Sequence, residues 1–140
     1  WKKGGIREMP PTPLFFYRHF NTTSYVTCSN GENMKFTTHN DDNTININGT
    51  SRQGYIDANY PGLCKVFGPP IGGDGFKIDW EWELLFDDGT VATIYNWKNG
   101  PNYTGQGSPY TIKTWNVGGH SGDAHRKVKM TYQEYFETTR

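Results

Sequence analysis

No apolar run in this chain approaches the roughly 18–20 residues of a transmembrane helix, so no membrane span is expected. No signal-peptide h-region follows Trp1, and the compartment stays open on composition alone. Leu, Ile and Val are sparse, and mean hydropathy is −0.80. Net charge is absent too. Fourteen basic residues balance 14 acidic ones, so no global field steers the protein to nucleic acid or anionic lipid. CxxC and HxxxH spacings, P-loop and dinucleotide fingerprints, and internal repeats are all missing. Two cysteines, Cys28 and Cys64, fit either a loop-closing disulfide or two buried thiols. Three Asn-X-Thr sequons start at Asn21, Asn48 and Asn102. With twelve Asn and 21 Ser plus Thr in 140 residues, roughly two such triplets arise by chance, so they do not argue secretion.

What the chain has is rings. Aromatics make up 16% of its 140 residues, as five Trp, nine Tyr and eight Phe. That number excludes a disordered chain and requires large rings to build much of one core. Seventeen Gly and eight Pro add many turns.

The clearest local signal runs from Lys77 to Trp97. Apolar and charged residues alternate from Ile78 to Phe86, Asp88-Gly89 interrupts, and a β-branched and aromatic run follows. This pattern predicts a hairpin. With Asp88 and Gly89 as a two-residue turn, Leu84 faces Thr93, Trp82 faces Tyr95 and Trp80 faces Trp97. One face then carries Ile78, Trp80, Trp82, Leu84, Phe86, Val91, Tyr95 and Trp97. Asp79, Glu81, Glu83 and Asp87 point the other way.

A second hairpin is expected around Ser29-Asn30-Gly31-Glu32, pairing Tyr25 with Phe36 and Thr27 with Met34. Thr44 to Asn48 alternates as a strand, with Ile45 and Ile47 inward. At Asn59 the period becomes helical. Asn59 can cap, Pro61 suits a first turn, Leu63, Val66 and Phe67 share a face, and Gly68 before Pro69 stops the helix. Tyr110 to Val117 reads as a strand. Ser121 to Thr138 is the one long helix, with Ala124, Val128, Thr131, Tyr132 and Tyr135 as its stripe. The expectation is an α+β fold in one domain over residues 21–140. It consists of a mainly antiparallel twisted sheet with the long C-terminal helix on one face and one short helix. Residues 1–20, with Lys2-Lys3-Gly4-Gly5 and Pro10-Pro11-Thr12-Pro13, form an extended arm. Its apolar patch from Leu14 to Phe20 fits a strand on the sheet or a contact with a protein partner or second copy.

The runs Gly49–Ile56, Val66–Pro69, Gly73–Lys77, Phe86–Lys98 and Trp115–His120 together resemble a small protein type of phage and viral genomes. The likeness spans about residues 45–120 and brings no catalytic or binding residues with it. It implies a viral or phage accessory protein acting in the host cytoplasm or the virion, and leans against secretion and a disulfide.

Several constellations could carry chemistry. The acidic row Asp79, Glu81, Glu83 and Asp87 has the spacing of paired carboxylates, though a solvated strand face has it too. His39, His120 and His125 with Asp41, Asp42 and Asp123 lack metal-site spacing, and no metal or other cofactor is expected. Neither cysteine has a signature of nucleophilic catalysis. The run Gly118, Gly119, His120, Ser121 leads into the long helix, where free backbone N–H groups with His125 and Arg126 suit an anion. Tyr95 and Trp97 would add a stacking surface. The leading expectation is therefore a non-catalytic accessory or binding protein holding a small anionic ligand, such as a nucleotide, at the Gly118–Arg126 turn. A secreted carbohydrate-binding or effector module using an exposed Trp/Tyr face and a structural virion component are the alternatives.

Overall fold

The computed structural model describes residues 22–27, 33–38 and 45–138. The expected Trp1–Phe20 arm, the Ser29–Glu32 turn, Cys28, and the His39, Asp41 and Asp42 group lie outside the described residues.

An α+β fold is what forms. β1 (Thr22–Thr27) and β2 (Asn33–Thr38) precede β3 (Ser51–Asp57), α1 (Tyr60–Phe67), a two-residue β4 (Ile71–Gly72), β5 (Trp80–Phe86) and β6 (Val91–Tyr95). A single helical turn α2 (Pro101–Thr104), a 3-10 turn (Pro109–Thr111), β7 (Thr114–Gly119) and the long α3 (Gly122–Thr138) complete the order. Every strand pairing is antiparallel, along the path β1-β2-β5-β6-β7-β3, with β4 added beside β5. Helix α3 touches β7, β3, β6 and β1, so both ends of the path reach it and the sheet curls around the helical layer.

α1 forms as its sequence dictates. The Asn59 side chain accepts the Gly62 N–H at 2.8 Å, Pro61 occupies the first turn, and Gly68 ends the helix at φ +86°. Gly62 weakens the helix intrinsically, but the Tyr132 hydroxyl of α3 occupies the place a Cβ would take. Leu63, Val66 and Phe67 are buried against Phe36, Trp82 and Leu84. α3 buries Ala124, Val128 and Thr131, as its stripe requires, and Gly119 lacks the side chain that would collide with Ala124.

Both expected hairpin registers are off by one residue. In the main hairpin Trp82 pairs with Ile94 and Glu81 with Tyr95. The turn holds three residues, Asp87-Asp88-Gly89: Gly89 N–H donates to Phe86 O at 2.9 Å, and Phe86 N–H donates to Thr90 O at 2.8 Å. Gly89 supplies the left-handed conformation, at φ +92°, that closes a type I turn followed by a bulge. One extra residue sends alternate side chains to the opposite face. Trp82, Leu84, Ala92, Ile94, Trp115 and Val117 therefore make the core under the helices. Val91, Tyr95 and Trp97 leave it for the outer face, and Trp80 and Trp97 end on opposite sides. In the first hairpin Tyr25 pairs with Lys35 rather than Phe36.

Of the strand expected at Thr44–Asn48, the described residues 45–48 form none. The Asn46 side chain accepts the Asn48 N–H at 2.9 Å, and Thr50 bonds back to Ile47 O, which makes a turn instead. The strand comes later, as β3, with a bulge between Arg52 and Gly54. The Tyr110 strand likewise starts late, at Thr114, after the 3-10 turn.

Candidate functional site

The expected ligand residues divide between three places. Gly118 opens onto the outer face, where an added Cβ would meet the Thr93 hydroxyl and the Tyr95 ring. Gly119 packs on Ala124, and its carbonyl accepts from the Gln53 side chain at 3.0 Å. His120 and Ser121 are exposed, and the Ser121 hydroxyl accepts the Asp123 N–H at 3.3 Å. The Asp123 carboxylate sits in the first turn of α3 and pairs with Arg126 at 3.4 Å. His125 Nε2 lies 2.9 Å from Tyr55 O at the sheet edge. The helix start thus already has its own anion, its own cap and a partnered arginine. Tyr95 and Trp97, with ring centroids 6.4 Å apart, lie on the outer face, where Tyr95 borders Gly118, rather than beside the helix start.

The acidic row also departs from expectation. Glu83 is only 5% exposed and Glu81 is half-buried, so this is no solvated strand face. Burial, then the neighbouring Glu83 charge and a carboxyl–carboxyl hydrogen bond to Glu83, raise the Glu81 pKa from its ordinary 4.5 to about 7. The folded state holds that proton more tightly than the unfolded chain. The associated stability is present below about 4.5 and is lost as pH rises through about 7. Discounted for the part of the carboxyl in water, the loss is about 2 kcal/mol. Urea midpoints measured on either side of this window should fall in the parent protein, and that fall should shrink in Glu81→Gln.

A different group of side chains is held ready for contact. The two loops around the open end of the β5–β6 hairpin are clamped by one buried amide. Asn96 Oδ1 accepts the N–H groups of Asp79 at 2.8 Å and Trp80 at 3.0 Å. Its Nδ2 donates to Asp79 Oδ1 and Asn99 Oδ1, each at 3.0 Å. The second Asp79 oxygen accepts the Asn102 N–H at 2.9 Å at the start of α2. Asp74 Oδ1 accepts from three successive N–H groups, those of Phe76, Lys77 and Ile78, each at 2.9 Å. Those bonds hold its carboxylate below the usual range. Lys98 N–H donates to Lys77 O at 2.8 Å and ties one loop to the other.

These clamped loops present three large rings to solvent. Phe76 is 54% exposed, Trp97 44% and Tyr103 45%. Phe76 and Tyr103 lie 5.5 Å apart. Two ammonium groups lie over them: Lys77 Nζ is 5.2 Å from the Phe76 centroid and 5.3 Å from Trp97. Lys98 Nζ is 6.0 Å from Trp97 and 5.6 Å from Tyr103. Each cation spans two rings. The ledge can stack a planar or ring-shaped group and neutralise negative charge beside it. Trp97 was expected at a ligand site; Phe76, Lys77, Lys98 and Tyr103 were not. The missed signal is a pair of aromatic–lysine dipeptides, Phe76-Lys77 and Trp97-Lys98, placed in Gly/Asn loops rather than in alternating strands.

Among the described residues no three His, Cys, Asp or Glu side chains group as a metal site, and no helix is long and apolar enough to cross a membrane. No family model, no curated protein and no solved structure matches the chain.

Proposed function

We propose that this domain is a non-catalytic binding module that holds a small anionic ligand with a planar ring, a nucleotide being the type case, on the Phe76–Trp97–Tyr103 ledge. The carrying observation is the pair of lysines, each spanning two exposed rings, on loops locked by Asn96 and Asp79. Rings left in water at a fixed spacing contribute nothing to the core, and the clamp removes the ordering cost that a flexible loop brings to binding. The reading keeps the nucleotide and the Trp97 contact expected from sequence but moves the cation from Arg126 to Lys77 and Lys98. A setting in the host cell or virion is part of this proposal and rests on the pattern resemblance of residues 45–120 alone.

Trp97 fluorescence titrated with a nucleotide panel tests the proposal. Lys77→Ala, read by the same fluorescence, and Trp97→Ala, read by titration calorimetry, should each weaken binding about tenfold, roughly 1.4 kcal/mol, with little change in melting temperature. Equal affinity for a neutral sugar, undiminished in Lys77→Ala, would instead favour the carbohydrate-binding alternative, for which the exposed rings also speak. Asn102 lies beside Tyr103 in α2, so a glycan on its sequon would obstruct the ledge.

A further inference from the structure

β3 is one end of the strand path, and among the described residues no strand pairs with its far side. Ala58 N–H donates to Lys113 O at 3.0 Å, which sets the alternation along the strand. Gly54, Ile56 and Ala58 direct their backbone groups toward β7, while Tyr55 and Asp57 direct theirs outward. Of these outward groups only Tyr55 O has a partner among the described residues, the His125 imidazole. Beside the edge lies a groove of about 420 Å³, floored by Ile56 and walled by α3 through His125, Lys129 and Tyr132. Across Tyr132 it meets a second cleft of about 340 Å³, between α1 and α3, that contains Lys65. Edge backbone groups and a helix wall at this spacing match the geometry of strand addition, in which the main chain gives affinity and the groove reads side chains.

Charge selects the occupant. Lys129 and Lys65 flank the path, and Asp57 is the one carboxylate lining it. We infer that the β3 edge accepts an extended acidic segment of a partner protein as an added strand, with backbone pairing at the Tyr55 N–H and the Asp57 N–H and C=O, and carboxylates facing Lys129 and Lys65. This surface is separate from the ledge.

The probe is a fluorescein-labelled heptapeptide of alternating valine and glutamate, read by anisotropy against the full chain. Saturable binding is expected, at least tenfold tighter than for the valine–lysine counterpart. Lys129→Glu should weaken it at least tenfold. Asp57→Pro removes an outward N–H and the exposed Thr114 hydroxyl contact but leaves the backbone ladder to β7 intact, so binding should be lost while the melting temperature stays close to that of the parent. On binding, the Tyr55 and Asp57 amides should gain protection from hydrogen exchange. The inference fails if the acidic peptide shows no saturation, or if Asp57→Pro and Lys129→Glu bind it unchanged. It fails equally if the chain alone sediments as a dimer that Asp57→Pro dissociates, because a second copy then occupies the edge.

Discussion

Asn96→Ala should cost about 3 kcal/mol and abolish ligand binding at the ledge. The Asn96 side chain has no solvent exposure and makes four hydrogen bonds. Its removal strips the acceptor from the Asp79 and Trp80 N–H groups and a donor from the Asp79 carboxylate, and each buried group left unsatisfied costs about 1–3 kcal/mol. The Asp79 carboxylate also anchors Asn102, so the damage reaches both loops. Urea denaturation measures the energetic loss; faster hydrogen exchange at Asp79, Trp80 and Asn102 measures the opening of the clamp. Asn96→Asp keeps the acceptor but sets a second carboxylate against Asp79, and should rigidify nothing. Retention of full nucleotide affinity in Asn96→Ala would sink the idea that preorganised loops make the ledge.

Trp82→Ala should be more damaging still, at about 4–5 kcal/mol. Trp82 is fully buried, its indole meets Trp115 edge-on at 5.5 Å and Tyr60 at 6.1 Å, and its Nε1–H donates to Gly68 O at 2.7 Å. Truncation leaves a ring-sized cavity and an orphaned carbonyl at the end of α1. A typical domain has only about 5–15 kcal/mol in total, so the variant should be largely unfolded at modest urea. Trp82→Phe separates the two causes: it keeps most of the packing, loses the hydrogen bond, and should cost about 2 kcal/mol. A Trp82→Ala loss no greater than that of Trp82→Phe would mean that the core closes over the gap.

The elements with strong periodicity were legible. The two helices and the strands of the main hairpin follow from spacing, the Asn59 cap and the Gly68 stop. Register was not. Asp88-Gly89 opens a two-residue turn and closes a three-residue one with the same letters; Gly89 has positive φ in either, and the difference lies at Asp88, which a two-residue type I′ turn would hold at positive φ and which is not so held here. That single residue decides whether Tyr95 and Trp97 are core or surface. β3 was missed because an edge strand with Arg52, Gln53, Gly54 and Asp57 offers little apolar alternation; tertiary pairing with β7 makes it a strand. Gly54 also serves packing, since a side chain there would press on the His125 ring. For the site, sequence reasoning named Trp97 and Tyr95 but placed the charge at the start of α3, where Asp123 already meets Arg126. The Asn96–Asp79 clamp joins residues seventeen apart in the chain, and no local pattern announces such a bond.

The pairing of β3 with β7 has a temporal side. Ser51–Asp57 leaves the ribosome long before Thr114–Gly119, its sole strand neighbour among the described residues, has been synthesised. Until then a growing chain carries Ile56 uncovered and a strand with both flanks bare, a species for which chaperones exist. Pairing of β3 therefore waits on translation of Thr114–Gly119, and a polypeptide stalled or nicked before that point would be recognisable to the cell by its unmated segment.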